Sequence, residues 1–199
     1  MSKKGALLPL CVDFDGTLVA CETHRFAFKV LRQKNFKLAC FFLLRLLFRG
    51  RLAAKNFAAF HVFHKKNALF ALHKKVEDIF APRPLLLAWL WREKKKGRKL
   101  VLVTGAPFLL RKMLQKKYPF FDRIITSSPS VNCVGRAKAA RLTKLFGHKG
   151  FGYVGNSFQD MAALRCAQKA YLVSKKRTMH SVARFLLPNV TVSKDGAFS

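Results

Sequence analysis

The chain has 199 residues, of which 39 are Lys or Arg and nine are Asp or Glu, so its formal net charge at pH 7 is +30. Hydrophobic residues make up 51% of the sequence, which excludes a natively disordered chain and is sufficient for a packed core. The positive charge favours phosphates, nucleic acid or anionic lipid headgroups as partners, without choosing among them.

The first apolar run, residues 7–12 (LLPLCV), predicts a buried strand that leads into VDFDGTLV. A basic start and a short apolar run are features of secretory signals, but no small-residue cleavage site follows here. The five cysteines form no CxxC pair, which disfavours a zinc site or a disulfide framework and indicates reduced thiols. We therefore expect a cytoplasmic protein.

Residues 22–97 separate this strand from the next one, a longer interval than a single crossover helix requires. No convincing strand occurs between residues 22 and 80, and the pattern predicts two or three helices with breaks near Gly50 and at the Pro82–Pro84 turn. Residues 85–96 (LLLAWLWREKKK) then return towards the core. The prediction is a helical cap with its return helix at 22–97, inserted into a core formed by 1–21 and 98–199.

The longest apolar run, residues 38–48 (LACFFLLRLLF), lies in this cap and is interrupted by Arg45. It is shorter than the ~20 residues of a membrane-spanning helix. Two alternatives stay open: the run packs inside the cap, or it forms a basic interfacial helix that contacts an anionic membrane peripherally, at its inner face. His61 and His64 are one helical turn apart, but no further ligand follows, so they are interpreted as cap surface.

Strands and helices alternate through the rest of the chain. Further strands are predicted at 100–103 (LVLV), 123–126 (RIIT), 151–154 (FGYV) and 170–173 (AYLV), and helices at 107–117, 136–146, 158–168 and 176–187. Continuous apolar strands of this kind are typical of a parallel sheet covered on both faces. The predicted fold class is therefore α/β, with a doubly wound, Rossmann-like parallel sheet and an inserted helical cap.

Polar residues follow several of these strands, at the edge of the sheet where ligands bind in such folds. They are Asp13, Asp15, Gly16 and Thr17 after the first strand, Thr104 and Gly105 after the second, Lys138 at the start of a helix, and Asn156, Ser157 and Asp160 after FGYV. One carboxylate can attack phosphorus, and a second can protonate the leaving oxygen and then activate water. A hydroxyl, an ammonium and Mg²⁺ can neutralise the phosphoryl charge, so this set predicts phosphoryl transfer.

The sequence resembles the haloacid dehalogenase superfamily of phosphatases through VDFDGTLV, LVLVTG, GRAKAARL and YVGNSFQD, which occur in the family's order. The resemblance implies an Mg²⁺-dependent phosphatase in which Asp13 is the nucleophile and a metal ligand and Asp15 is the general acid/base. It also implies that Thr104 and Lys138 bind the phosphoryl group and that Gly16, Thr17 and Gly105 bind the substrate. Glu22 matches the substrate-binding glutamate of phosphoserine phosphatases.

Three segments, namely PLCVDFDGTLV, the leucine-rich basic cap helix that ends in RG, and GRAKAARL followed by YVGNS, look similar to the hydrolase domain that is fused to UbiA-type prenyltransferases. This resemblance and the basic, Phe-rich cap favour a lipid-linked or other amphiphilic phosphate as substrate. A small soluble phosphate, such as a phosphoamino acid, is the alternative.

One position departs from the family pattern. The fourth motif commonly begins with a metal-binding Asp, whereas this chain has Asn156. An amide oxygen can still ligate Mg²⁺, and we expect Asp160 to complete the metal site together with Asp13, Asp15 and Asn156. The same departure keeps open a protein with weak or no catalysis that binds nucleic acid or anionic membranes, although no nucleic-acid motif is present.

Each site residue also has an ordinary structural interpretation. Asp13 and Asp15 could be turn carboxylates, since Asp-Gly is a common turn pair. Lys138 could be a solvated residue in the first turn of a helix, and Arg136 could then reach the site in its place. Glu22 could simply begin a helix, where the macrodipole favours an acidic residue.

Overall fold

A computed structural model describes residues 7–63 and 80–198. Six parallel strands form one sheet in the order β3-β2-β1-β4-β5-β6. The strands are β1 (Leu10–Asp13), β2 (Leu100–Val103), β3 (Arg123–Ile125), β4 (Gly152–Gly155), β5 (Lys169–Val173) and β6 (Val190–Ser193). This order reverses direction next to β1, so the predicted doubly wound α/β fold is confirmed.

The helices of the described residues follow the predicted alternation. They are α1 (Thr23–Lys34), α2 (Phe36–Phe48), α3 (Gly50–Phe63), α4 (Pro84–Lys95), α5 (Arg111–Lys117), α6 (Gly135–Phe146), α7 (Met161–Cys166) and α8 (Arg177–Leu186). Short 3-10 turns at Phe108–Leu110 and Phe158–Asp160 precede α5 and α7. The helices predicted at 107–117 and 158–168 are therefore each divided into a 3-10 turn and an α-helix.

Alternating side chains of β1 supply both faces of the core. Leu10 and Val12 pack in one hydrophobic cluster with Leu86 and Trp89 of the return helix α4. Cys11 packs in the cluster on the opposite face. Because residues two apart share a face, the side chain of Asp13 leaves the end of β1 on the same side as that of Cys11. The return helix thus packs on the sheet and contributes to its main core.

Helices α1, α2 and α3 form a separate small cluster whose buried members include Ala27, Leu31, Phe42 and Ala58. The predicted break at Gly50 is confirmed, since α3 begins there and Gly50 has φ +77°. Alanines at the helix contacts let the three helices approach closely. His61 lies in this cap against Phe57, whereas His64 lies outside the described residues.

The sixth strand is the one element of the sheet that the sequence pattern did not predict. It lies at the sheet edge beside β5, and its residues VTVS are only partly buried or exposed. A search for continuous apolar runs passes over such a strand, because an edge strand needs apolar residues on one face only.

Within the described residues, no helix has both the length and the apolar character needed to cross a membrane.

Candidate active site

The carboxyl ends of the three central strands bring the polar residues of the motifs together. Asp13 ends β1, Thr104 follows β2 and Asn156 follows β4. Since β2, β1 and β4 are neighbours in the sheet, these residues share one edge. Helix α6 reaches the same place from its first turn, where Lys138 is buried. The exposed neighbour Arg136 does not take its place.

The carboxylate of Asp13 is held on both oxygens. Lys138 Nζ donates to Oδ1 at 2.6 Å, and Thr17 Oγ1 donates to Oδ2 at 2.9 Å. Asp13 is 5% exposed. Burial raises the pKa of Asp13 to about 7, although the Lys138 ammonium acts in the opposite direction. These two hydrogen bonds fix the orientation of the carboxylate at the end of β1.

Lys138 is at the centre of a buried network. Besides Asp13, its Nζ donates to Tyr153 Oη at 2.9 Å and to Asp160 Oδ1 at 3.0 Å. Burial lowers the pKa of Lys138, but the nearby carboxylates of Asp13 and Asp160 outweigh it and hold that pKa well above its ordinary value. The amine therefore stays an ammonium that donates to Asp13, Tyr153 and Asp160.

Both carboxylate oxygens of Asp160, which was expected to ligate a metal, accept hydrogen bonds. Its Oδ1 accepts from Lys138 and from Tyr153 Oη, the latter at 2.8 Å. Its Oδ2 accepts from the backbone N–H groups of Asn156 and Ser157, at 3.1 and 3.2 Å, and from Ser157 Oγ at 2.9 Å. These bonds hold Lys138 and the 156–160 loop in place, and the expectation that Asp160 also completes the metal site stays a prediction.

The hydrogen bonds also explain the charge on Asp160. Burial raises the pKa of this carboxyl, but Lys138 and the hydrogen bond from Tyr153 outweigh burial and keep the pKa below its ordinary value. Of the two carboxylates beside Lys138, Asp160 therefore carries the more firmly held negative charge.

Asp15 lies on the loop that follows β1, on the side that faces the cap. Its Oδ1 accepts from the backbone N–H of Thr23 at 2.6 Å, and its Oδ2 accepts from Thr104 Oγ1 at 3.3 Å. Thr104 is fully buried and its Oγ1 also accepts from the N–H of Ala106 at 2.9 Å. Asp15 thus connects the first motif to the first cap helix and to the loop after β2.

Gly16 and Thr17 bring the loop against Asn156. Gly16 has φ +75°, and a Cβ there would lie 2.2 Å from Asn156 Nδ2, so the position requires glycine. Thr17 Oγ1 lies 3.2 Å from Asn156 Oδ1 as well as 2.9 Å from Asp13 Oδ2. One hydroxyl proton cannot satisfy two acceptor oxygens at once.

The two oxygens that face the Thr17 hydroxyl allow a test of whether the residues present fit a metal ion. No group of three or more His, Cys, Asp or Glu in residues 7–63 and 80–198 is arranged to hold one. However, a carboxylate oxygen of Asp13 and an amide oxygen of Asn156 converge on Thr17, and one of them keeps a free lone pair. Oxygen ligands supplemented by water are what Mg²⁺ prefers. The residues present therefore fit a hard cation with a small number of protein ligands.

A model of the haloacid dehalogenase-like hydrolase family matches residues 10–165, which include all four motifs. The chain belongs to this family. The resemblance stated from the motifs is thus confirmed, and the fold with its cap between the first and second motifs is that of a haloacid dehalogenase-like hydrolase. A comparison with curated proteins gives no match.

Solved structures with the same fold are distant in sequence. A hydrolase of this family from Salmonella enterica serovar Typhi is 16% identical, with a TM-score of 0.63, over 90% of this chain and 72% of that one. A Bordetella pertussis protein is 12% identical, with a TM-score of 0.68, over 94% and 98%. A phosphoserine phosphatase is 14% identical, with a TM-score of 0.60, over 94% of each chain. At such identities the likeness shows the fold alone.

The cleft between cap and core is nearly closed. Asp15, Thr23 and Gly105 line it together with His24 and Lys55 of the cap, and it encloses a cavity of about 10 Å³. Such a cavity is too small for a phosphate monoester.

Glu22 does not reach this cleft. The structure places it at the start of α1, where its carboxylate pairs with Arg25 Nε at 2.8 Å. That Glu22 binds substrate stays a prediction, and its position before α1 also matches the alternative of a helix-start residue.

Lys55 is a cleft residue that sequence reasoning missed. It extends from α3, and its Nζ donates to the carbonyl of Gly105 at 3.3 Å. Burial lowers the pKa of Lys55, against the attraction of Asp15. Its sequence neighbours carry no catalytic motif, and only the packing of the cap on the core brings it to the cleft.

Arg83 is a second such residue. Its Nε donates to the carbonyl of Thr17 and its Nη2 to that of Gly16, both at 3.1 Å. Its backbone N–H donates to the carbonyl of Leu18 at 2.8 Å. The segment that returns from the cap thus fixes the loop of the first motif. Its position between Pro82 and Pro84, in a rigid turn, was the only signal in the sequence.

Proposed function

We propose that the protein is an Mg²⁺-dependent phosphomonoester hydrolase that works through an aspartyl phosphate on Asp13. The observation that carries this proposal is the fixed carboxylate of Asp13, held by the Lys138 ammonium and the Thr17 hydroxyl at the end of β1. Asp15 lies on the same loop and lines the cleft, as a proton donor to a leaving group should.

The proposed reaction has two steps. In the first, a carboxylate oxygen of Asp13 forms a bond to phosphorus, the ester P–O bond breaks, and protonated Asp15 gives its proton to the departing alkoxide. In the second, Asp15 takes a proton from water as the water oxygen attacks phosphorus, and the bond to Asp13 breaks. Lys138 and the Thr104 hydroxyl bind the phosphoryl oxygens, and the Gly105 and Thr17 positions shape the site around them.

The proposed metal ligands are the carboxylate of Asp13, the backbone carbonyl of Asp15 and the amide oxygen of Asn156. When bound, Mg²⁺ supplies positive charge that neutralises the phosphoryl oxygens. Asp160 contributes by orienting the 156–160 loop. With an amide in place of a carboxylate, the site has one negative charge fewer, and we expect weaker Mg²⁺ binding than a carboxylate at position 156 would give.

For the substrate we propose an amphiphilic, lipid-linked phosphate. Much of the cleft lining is apolar, including Ala27, Ala58, Phe63 and Pro107, and the cap contributes the cation Lys55 to it. Such a lining suits an apolar group next to an anion. The likeness to the hydrolase domain fused to UbiA-type prenyltransferases supports the same substrate class. The proposed setting is the cytoplasmic face of an anionic membrane.

A soluble phosphoamino acid is the second candidate, because phosphoserine phosphatases are among the proteins that share the fold. A phosphoamino acid brings an ammonium group that needs an acceptor. Among the described residues that line the cleft, the only acid is Asp15, which the reaction already uses. Glu22 is not among the lining residues and its carboxylate pairs with Arg25, which favours the amphiphile.

The chemistry is tested by phosphate release from an aryl phosphate. We expect turnover with Mg²⁺, none after chelation, and a loss of at least about a thousandfold in Asp13→Asn. Asp195→Asn is the matched control, since Asp195 is exposed near the C-terminus. Equal activity in Asp13→Asn and Asp195→Asn contradicts the proposal. Absent turnover combined with strongly salt-dependent RNA binding would favour the noncatalytic alternative.

The substrate class is tested separately with the active protein. We expect kcat/KM for a short polyprenyl phosphate to exceed that for phosphoserine by at least about tenfold. The reverse ratio would support the soluble candidate and leave the proposed chemistry intact.

A further inference from the structure

The second half of α2 carries an apolar surface that the cap does not bury. After Phe42, every residue through Gly50 is exposed. The side chains of this surface, here called the α2 tip, are Phe41, Leu43, Leu44, Leu46, Leu47 and Phe48, and the last two are 78% and 80% exposed. Apolar side chains point outward around the helix, so the α2 tip projects beyond the packing of the cap. An exposed patch of this kind indicates an interaction site.

Cations surround the α2 tip. Arg45 lies within it, and Arg49 and Arg51 follow it, all exposed. Residues 23–63 contain nine Lys and Arg and no Asp or Glu, so no carboxylate of this stretch competes for these cations. The combination of large apolar side chains with adjacent arginines is complementary to acyl chains beneath anionic headgroups.

A cavity beside the α2 tip is suited to a headgroup. It measures about 590 Å³, is open to solvent, and is lined by Arg45 of α2, by Arg49 directly after α2 and by Phe57 of α3. The guanidinium of Arg45 lies 5.0 Å from the centre of the Phe57 ring, which fixes the direction of that arginine. Two arginines at one open cavity can bind a phosphate with charge-assisted hydrogen bonds.

We propose that the α2 tip docks on an anionic lipid bilayer, with its Leu and Phe side chains among the acyl chains and with Arg45 and Arg49 on lipid phosphates. This surface lies on the cap and uses none of the catalytic residues. Docking therefore stands independently of the proposed hydrolase activity.

A second copy of the chain is a poorer occupant of the same surface. Each chain has a formal charge of +30, and pairing two tips would bring their arginines together against this repulsion. Nucleic acid offers phosphates to the arginines but no apolar layer for Leu47 and Phe48. A bilayer provides both.

Docking also has a consequence for the cleft. Helix α3 begins at Gly50, directly after the α2 tip, and carries Lys55 into the cleft. The tip and the cleft residue Lys55 thus belong to consecutive helices of the same cap. If the proposed function holds, docking keeps the cap beside a membrane that contains lipid-linked phosphates.

The test is flotation of the purified protein with phosphatidylcholine vesicles that contain or lack phosphatidylglycerol. We expect binding to the anionic vesicles, weakened by salt. The double variant Leu47→Ser/Phe48→Ser should lower the partition coefficient by at least about tenfold. The matched control is Phe185→Ser on α8, an 87% exposed phenylalanine outside the cap, and it should bind like the parent.

The charge component is tested with Arg45→Gln/Arg49→Gln against Arg184→Gln, a control on α8. We expect the cap variant to lose most of its preference for anionic vesicles and the control to keep it. Unchanged vesicle binding by the Leu47→Ser/Phe48→Ser variant overturns the proposal, as does a lipid-free dimer that this variant abolishes. Turnover of a soluble aryl phosphate should be equal in parent and tip variant, so loss of docking and loss of chemistry are separate results.

Discussion

At the scale of single residues, Tyr153 connects the two charged partners of the site. Its hydroxyl accepts from Lys138 and donates to Asp160 in a fully buried position. Tyr153→Phe should lower the free energy of unfolding by about 1–2 kcal/mol, because Asp160 loses a hydrogen bond in a dry environment. Chemical denaturation measures this loss. Tyr171→Phe, whose ring packs on Trp89, is the matched control, and equal effects of the two substitutions would contradict this role.

Glu93 gives a prediction about pH. Its carboxylate pairs with Arg98 at 2.8 Å and with Lys96 at 2.7 Å. Burial raises the pKa of Glu93, but hydrogen bonds from Lys96 and Arg98 outweigh it and hold that pKa below its ordinary value. A carboxyl with a depressed pKa in the folded state stabilises the fold above its unfolded pKa, and this stabilisation is lost as the pH falls through the folded value.

The corresponding variant is Glu93→Gln, which leaves the buried Arg98 without its charged partner. Near pH 7 we expect it to be less stable than the parent by about 3 kcal/mol. The difference should shrink as the pH falls through the lowered pKa of the folded parent's Glu93 carboxyl, where that carboxylate becomes protonated. Urea denaturation across this range provides the measurement, with Asp195→Asn as control. A difference that stays constant with pH would show that the ion pair is not its cause.

At the scale of elements, the start of α4 fixes the first catalytic loop through Arg83. Arg83→Lys removes the two-point contact with the carbonyls of Gly16 and Thr17. We expect kcat to fall by about tenfold, because the loop that orients Asp13 and Asp15 loses a fixed partner. Arg92→Lys is the control. Arg92 lies on α4 and donates to the carbonyl of Phe198 at 2.8 Å, away from the catalytic loop. A similar loss of kcat in both variants would indicate general destabilisation instead.

Elements also show how far the sequence predicts this structure. Continuous apolar runs predicted five of the strands, and the residues after them predicted that Asp13, Thr104 and Asn156 would share one edge. The edge strand β6 was missed because it buries only part of one face. Lys55 and Arg83 were missed for another reason: each reaches the site through packing between elements distant in sequence, and no local pattern marks such a contact.

The role of Asp160 shows the same limit. Spacing placed it near the metal site, and it does lie there. Only the hydrogen bonds reveal that both of its oxygens are already used, by Lys138 and Tyr153 on one side and by the loop on the other.

At the scale of the whole molecule, the net charge of +30 should oppose folding through self-repulsion. We expect Tm to rise by a few degrees when NaCl is increased from about 20 mM to about 300 mM, because salt screens this repulsion. A variant with Lys112, Lys116 and Lys144 changed to Gln should show a smaller rise, since these exposed lysines contribute to the repulsion. A Tm that falls with salt would mean that attractive ion pairs dominate instead.

The central claim is that Asp13 becomes phosphorylated during turnover, and rapid quenching followed by peptide mass spectrometry tests it most directly. Asp15→Asn should slow the second step more than the first, so that the intermediate accumulates with a good leaving group. The account predicts a phosphoryl group on the peptide that contains Asp13, and none when Asp13→Asn is added. A phosphoryl group on another residue, or turnover that never labels the protein, would contradict it.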